Sequence, residues 1–222
     1  MPSLPNTSSR EEIREEILDR KGKVRDTIEE KYLYLMLIRP EELPGGTREL
    51  RTRDEFLNAK DAALKKGFMI TSGFTGTPLN FHTSHQPGAH YRLLGRQVVD
   101  GRPTVVVAFA QRPETAKRVG RFVVDGKSVP VLIQGVAWFD SERYNILRMR
   151  TDLLVSPPNS RLKRQTTEIQ FGEVTFKELP ATLWLPREVT VTVEWKGRMY
   201  RNFHRYSDFR LFNVVTEERR RA

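Results

Sequence analysis

The chain has 222 residues, no cysteine and a formal net charge of +10, with 38% hydrophobic and 30% charged residues. A chain of this length can bury most of the apolar surface that it would expose unfolded, so a single domain over 1–222 is expected. The proportions exclude a disordered chain, and the missing thiols exclude disulfides, thiolate metal sites and a cysteine nucleophile. The apolar run Tyr32–Ile38 is too short to span a bilayer.

The N-terminal part of the chain predicts two helices. Four apolar residues recur there at helical spacing: Ile13, Ile17, Val24 and Ile28. Ser9 with Glu12 fits a capping box, so a helix is predicted over 9–30. The run Tyr32–Ile38 then predicts a strand buried on both sides. A second helix is predicted over 54–66, because an apolar side recurs at helical spacing and Gly67 follows it.

The remainder of the chain, 67–215, predicts mainly antiparallel sheet. Asp100-Gly101 tolerates the positive backbone angles of a tight hairpin, and Lys196-Gly197 marks another turn. Between them the run Val189–Trp195 alternates apolar and polar residues, as a strand with one buried face does. Residues 216–222 are expected to fray. The predicted fold class is therefore α+β, with N-terminal helices and one large sheet.

Four segments carry a resemblance to a known group of proteins. They are GVAWFDSERYNILRMRTDLL at 135–154, TTEIQFGEVTF at 166–176, LWLPREVTVTVEW at 183–195 and YRNFHRYSDFRLF at 200–212. In this order they resemble the superfamily of bacterial outer-membrane lipoprotein-sorting carriers, in particular its uncharacterised exported members. The resemblance spans Val131 to Phe212. It implies a strongly curved antiparallel sheet, an incomplete barrel with helices packed on the concave face, and an apolar cavity that holds acyl chains.

Apolar residues on the predicted strands are the candidate ligand-binding residues. They are Val105, Val107, Phe109, Leu147, Met149, Ile169, Phe171, Val189, Val191, Val193 and Trp195. On each predicted strand these residues form an apolar row. The rows could be a core under the helices or the lining of a ligand cavity. A register error of one residue would move a row to the other face.

Basic residues are concentrated in the second part of the chain. Residues 1–66 hold 14 basic and 14 acidic side chains, so the whole excess lies after residue 66. A candidate surface for an anionic partner comprises Arg148, Arg150, Arg161, Lys163 and Arg164. The alternative interpretation is an ordinary solvated strand face. An anionic membrane surface would suit this stripe, whereas nucleic acid is disfavoured because stacking aromatics do not follow the same face.

Three further patterns could indicate chemistry. The cluster of Asp140, Glu142 and Arg143 could hold paired carboxylates for acid–base chemistry. Its position between two strands favours a turn instead. The histidines of FHTSHQPGAH, at 82, 85 and 90, could bind zinc, but no carboxylate or thiolate lies in that stretch. Serine hydrolysis lacks a Gly-x-Ser-x-Gly elbow, and His204 has no evident partner in the sequence. No catalytic residue, metal or cofactor is therefore expected.

Together these observations predict a non-enzymatic protein that binds an apolar or lipid-like ligand, such as the acyl group of a lipoprotein, as a carrier or a sensor. The alternative is a basic adaptor that binds nucleic acid or an acidic protein through its convex face. The start MPSLPNTSSREE lacks the pattern of a secretory leader. We expect a periplasmic or otherwise exported protein whose leader is absent from this chain, with a cytoplasmic location as the alternative and no expectation for the oligomeric state.

Overall fold

The computed structural model of the protein describes residues 5–38, 47–54, 71, 73–116, 120–124, 127–177 and 182–212. Within these ranges the strands are β1 (Thr7–Leu18), β2 (Val24–Ile38), β3 (Thr47–Arg53), β4 (Ala89–Val99), β5 (Arg102–Gln111), β6 (Gly120–Val124), β7 (Lys127–Val131), β8 (Ile133–Asp140), β9 (Ile146–Leu153), β10 (Leu162–Val174), β11 (Leu183–Trp195) and β12 (Arg198–Leu211). Short 3₁₀ turns lie at Thr77–Phe81 and Gln86–Gly88.

Ten of these strands form one open sheet, in the order β3-β2-β1-β12-β11-β10-β9-β8-β5-β4, and β6 pairs with β7 in a separate hairpin. Neighbouring strands of the large sheet pair antiparallel. Most connections are therefore hairpins between consecutive strands, while β1 joins the sheet between β2 and the last strand β12.

The prediction of a helix over 9–30 is wrong, and with it the α+β class: the described residues contain no α-helix, and 9–30 lies in the β1–β2 hairpin. Ser9 pairs with Tyr34 across the hairpin instead of capping a helix. Gly22 has φ of 78°, which places it in the turn between the two strands. The helical spacing was misleading because the buried face of β1 carries carboxylates between its isoleucines, which hides the alternation.

The second predicted helix, over 54–66, and the frayed tail over 216–222 fall on residues that lie, apart from Asp54, outside the described ranges. Asp54 directly follows β3, and its backbone N–H donates to the carbonyl of Lys31. Among the described residues there is no helix with the length and apolar content that crossing a membrane requires.

Other turns and strands are confirmed where the sequence predicts them. Asp100 and Gly101, with φ of 49° and 75°, connect β4 to β5, and Lys196 and Gly197, with φ of 50° and 74°, connect β11 to β12. The run Tyr32–Ile38 lies in β2, but the prediction that it is buried on both sides is wrong, because Leu33 is 47% exposed. These segments combine strand alternation with a residue pair that accepts positive φ, so local pattern and tertiary structure agree.

The large sheet has one buried face and one largely solvated face. We call the buried one the inner face; it carries Ile13, Val191, Ile169, Met149 and Phe109, all between 0% and 3% exposed. The opposite, outer face carries residues such as Arg14 and Arg150. Within the described ranges two elements cover the inner face: the segment 73–81, through Phe74 and Phe81, and the β6–β7 hairpin, through Phe122 and Val131.

Candidate functional site

The inner face is organised by one row of directly paired residues that crosses the sheet from β2 to β4. Direct register partners share a face and lie side by side. The row runs Glu30, Ile13, His204, Val189, Ile169, Met149, Ala137, Val107 and Leu93. It is partly polar at the β2 end and wholly apolar from β11 to β4. The face therefore combines a polar end with a long apolar surface.

Most of the predicted ligand-binding residues lie together on the apolar part of this face. Phe109, Met149, Ile169, Val189, Val191 and Val193 are buried, at 0–3% exposure, while Val105, Val107, Phe171 and Trp195 are half-buried. Leu147 is buried beside the register shift between β8 and β9. The buried members pack in clusters with Phe74, Phe122 and Phe81. A ligand would reach them only if these covering side chains moved.

The apolar surface becomes exposed where it reaches β4. Leu93 is 67% exposed and Val98 is 70% exposed. Their register partners point to the same inner face, on which Val105 and Val107 are only half-buried. Phe81 borders this region and packs edge-on against Phe109 and Phe139 at centroid distances of 5.2 and 5.0 Å. The row thus passes from a sealed core to an open shelf without a change of face, and this shelf is apolar apart from Arg96, the register partner of Val105.

The polar end of the face is built around Glu11 on β1, whose side chain is fully buried. Its carboxylate accepts hydrogen bonds from His204 Nδ1 at 2.9 Å, from the Tyr206 hydroxyl at 2.7 Å and from Arg51 Nη2 at 2.7 Å. Arg51 Nε donates to the same carboxylate. Four side chains from β1, β3 and β12 therefore form one buried network, which ties the β3 edge to the last strand of the chain.

Residues 71 and 73–75 are held beside this network by polar contacts. Thr71 Oγ1 lies 2.9 Å from His204 Nε2. The backbone N–H of Gly73 donates to Glu49 Oε2 at 2.7 Å. The Thr75 hydroxyl lies 2.9 Å from that of Tyr34. The Phe74 ring packs edge-on against the His204 ring at 4.8 Å. We call the residues 71 and 73–75 with these contacts the latch, because they hold the cover over the inner face.

Burial and charge partners shift the pKa values of these groups. Burial raises the pKa of Glu11, but hydrogen bonds from His204 and Arg51, together with the charge of Arg51, outweigh it and lower the pKa to about 2. Burial lowers the pKa of His204, and the Glu11 hydrogen bond opposes this only in part. Burial raises the pKa of Glu49 and of Tyr206. At neutral pH Glu11 is therefore ionised and His204 neutral.

With a neutral imidazole, His204 Nδ1 donates to Glu11 and Nε2 accepts from the Thr71 hydroxyl. The expectation that His204 has no partner is wrong. The order hydroxyl, imidazole, carboxylate matches that of a hydrolase triad. However, the His204 ring is fully buried under Phe74, and the nearby N–H of Gly73 is already bound to Glu49. Among the described residues there is therefore no space beside the ring for a substrate and no free oxyanion donor, so the arrangement favours a structural tie.

The stretch around Asp140 is a turn, as predicted. β8 ends at Asp140 and β9 begins at Ile146. Asp140 Oδ1 accepts the backbone N–H groups of Glu142 at 2.9 Å and Arg143 at 3.0 Å. These two bonds lower the pKa of Asp140. Its carboxylate orders the turn, because it satisfies backbone donors that the strands leave free.

The three clustered histidines have partners other than a metal. His82 Nδ1 lies 2.8 Å from the Ser84 hydroxyl, and His90 Nδ1 lies 3.1 Å from Arg112 Nη2. The rings of His82 and His85 are 6.2 Å apart. In the described part of the chain no group of three or more histidine, aspartate or glutamate side chains is arranged to hold a metal ion.

The five predicted anion-binding residues do not form one uncompensated stripe. Arg148 and Arg150 both approach Glu168 on β10, at 3.8 and 3.4 Å, and Arg150 also pairs with Asp152 at 3.3 Å. Lys163 lies 3.9 Å from Glu194, while Arg161 and Arg164 are exposed near the start of β10. Acidic neighbours thus neutralise much of the stripe. The use of these residues by an anionic partner stays a prediction.

Sequence reasoning missed the polar network entirely. Its signal lies in two alternating runs, Ser9, Glu11, Ile13 on β1 and Glu49, Arg51, Arg53 on β3, where one face collects opposite charges. A strand with alternating charged residues normally indicates a solvated surface. The interpretation changes only if two such strands are known to pair with the same third strand. That third strand is β2, which pairs with both.

No protein-family model and no curated protein matches the sequence. Solved structures with a similar chain path include a domain assigned to outer-membrane lipoprotein sorting from Vibrio parahaemolyticus (10% identity, TM-score 0.47), a DUF1329 family protein from Desulfovibrio piger (12%, 0.44) and a LolA superfamily protein from Nitrosomonas europaea (12%, 0.42). Each match covers 97% of this chain and 89% of the other. The neighbours thus include members of the superfamily that the sequence resembles.

Proposed function

We propose that the protein binds an apolar, lipid-like ligand, such as an acyl chain, on the inner face of its large sheet, without catalysing a reaction. The proposal rests on the apolar part of the row that crosses the sheet. This part begins in the buried core and continues to Leu93, which is 67% exposed. Soluble domains seldom leave such a surface in water unless something binds there. The proposal includes a carrier or sensor acting outside the cytoplasm on lipid or acylated protein, the ligand class of the sorting proteins named above.

The ligand would first occupy the open shelf formed by Leu93, Val98, Val105 and Val107. Each methylene that is removed from water there contributes about 0.8 kcal/mol. A short acyl chain therefore gains several kcal/mol without a specific polar contact. Phe81 forms the inner boundary of the shelf, so this ring decides how far the chain can advance.

A longer chain would extend under the cover toward Met149, Ile169 and Val189. This step requires segment 73–81 to lift from the sheet. The latch opposes lifting, because its polar contacts to His204, Glu49 and Tyr34 would break. Each such hydrogen bond contributes a net amount of about 1 kcal/mol. Partial opening is therefore within the energy that a bound acyl chain can provide.

The proposal is tested by native mass spectrometry with organic extraction of the same sample, and by titration with a fluorescent anthroyloxy-stearate. Leu93→Asp places a charge on the shelf and should abolish stearate binding. Leu33→Asp is the matched control, because Leu33 is 47% exposed and pairs with Arg10 on the outer face. Equal stearate binding by both variants, or no binding by the unaltered protein, would refute the proposal.

A further inference from the structure

β4 is the outermost strand of the large sheet at the end opposite β3. Among the described strands it pairs with β5 alone, so half of its backbone donors and acceptors point away from the sheet. It runs for 11 residues, which is long for an unprotected edge. Leu93, Leu94 and Val98 are all more than half exposed along it. Such an edge is a template for an additional strand.

The charge of β4 discriminates between possible partners. The strand carries His90, Arg92 and Arg96 and no carboxylate. Neither arginine forms an ion pair within the described parts of the chain. The register shifts between Leu93 and Gly95, so Arg92 lies opposite Ala108 on the outer face and Arg96 lies opposite Val105 on the inner face. A second copy paired along this strand would bring further arginines to the same edge, where like charges repel each other. An acidic strand would instead be attracted.

A pocket of about 400 Å³ lies beside this edge on the outer face. Its floor includes Ala108 and Val136, and its rim includes Arg92 on β4 and Gln134 and Asp152 on the far side. The pocket exists because small side chains on β5 are flanked by long ones on the neighbouring strands. Strands are about 4.8 Å apart. An aromatic side chain on a strand added to β4 is therefore long enough to reach across β4 to the near side of the pocket.

We propose that β4 binds an extended acidic segment of another protein as an additional strand, with one aromatic side chain of that segment in the pocket. Backbone hydrogen bonds to the edge supply affinity that is independent of sequence, while the pocket and Arg92 select side chains on the outer face. This interface uses the edge and the outer face of the sheet. It is therefore independent of the proposed lipid site on the inner face.

The test uses the labelled peptide acetyl-Glu-Val-Trp-Val-Glu-Val-Thr-amide and measures fluorescence anisotropy. Its alternation places the acidic and aromatic side chains on one face and the valines on the other. Two further peptides carry N-methyl groups on either alternate set of backbone amides, which removes edge donors without changing the side chains. One of the two methylated peptides should lose binding, because only one set of amides faces β4.

Two pairs of protein variants locate the peptide. Ala108→Leu fills the pocket and should weaken binding, whereas Ala108→Ser keeps its size and should not. Arg92→Glu should weaken binding about tenfold, because an attractive pair becomes a repulsive one. Arg25→Glu, at an exposed position on β2, makes the same change of charge away from the edge. All four variants should retain stearate binding, which separates this test from that of the inner face.

Several results would overturn the inference. One is the absence of saturable peptide binding by the unaltered protein. Another is equal binding of the two members of each variant pair. A third is a dimer in sedimentation equilibrium that the peptide dissociates, because the edge would then belong to a second copy of this chain.

Discussion

Replacing Glu11 by glutamine tests the energetic role of the buried network. The substitution keeps the shape of the side chain but removes the charge that Arg51 faces, and the Arg51 side chain is only 14% exposed. Removing one partner of a buried ion pair costs about 3–5 kcal/mol, because the other charge stays buried without compensation. We expect Glu11→Gln to lower the free energy of unfolding at neutral pH by an amount in this range.

The pH dependence of the unfolding free energy gives a second and more specific measure of the contribution of Glu11. The pKa of Glu11 is lowered from 4.5 to about 2 in the folded protein. Since one pKa unit corresponds to about 1.4 kcal/mol, ionised Glu11 contributes about 3 kcal/mol to stability. The folded pKa lies below the unfolded one, so this contribution is complete above pH 4.5 and is lost as the pH falls to about 2. Glu11→Gln has no carboxyl group at this position to titrate.

Urea unfolding followed by the fluorescence of the three tryptophans measures both effects. The difference in unfolding free energy between the unaltered protein and Glu11→Gln should shrink by about 3 kcal/mol between pH 4.5 and pH 2. Glu12→Gln is the control, because Glu12 is 42% exposed and its pairing with Lys31 contributes at most about 1 kcal/mol. A difference that stays constant over this range would refute the reasoning.

Two further predictions concern the latch and the sheet. Thr71→Val keeps the shape of the side chain but loses the bond to His204, so the unfolding free energy should fall by about 1 kcal/mol, and limited proteolysis within 71–81 should accelerate. Unchanged proteolysis would argue against the latch. Gly135→Ala should destabilise the protein by more than about 3 kcal/mol, because the new Cβ would lie 2.1 Å from the carbonyl oxygen of Arg150. Gly172→Ala meets only a flexible arginine side chain at 2.8 Å and should cost much less, as measured by thermal unfolding.

The strands and turns of the second part of the chain were predictable because local and tertiary preferences agree there. Val189–Trp195 alternates cleanly, and its apolar members all lie on the inner face. The turn at Asp100-Gly101 needs positive φ at both residues, and this residue pair tolerates it. Such segments carry in one short window everything that determines their structure.

The N-terminal hairpin was not predictable in this way. The inner face of β1 carries Glu11 and Glu15 next to Ile13, and burial of the Glu11 carboxylate depends on Arg51 from β3 and on donors from β12. Without knowledge of β3 and β12, their presence argues for a solvated helix face. The candidate site was predicted in part: the strands place most of the proposed apolar residues on one face, but within the described residues the cover that seals them consists of segment 73–81 and the β6–β7 hairpin.

The position of β1 between β2 and β12 has a consequence for biosynthesis. Thr7 pairs with Leu211, so the two strands that complete this part of the sheet are about 200 residues apart in the chain. A ribosome releases β12 only after nearly all the other strands have emerged. Until then one edge of β1 stays unpaired, and pairings of such long range form slowly. The nascent chain is therefore most exposed to aggregation at this edge, where a chaperone that shields it would have the largest effect on yield.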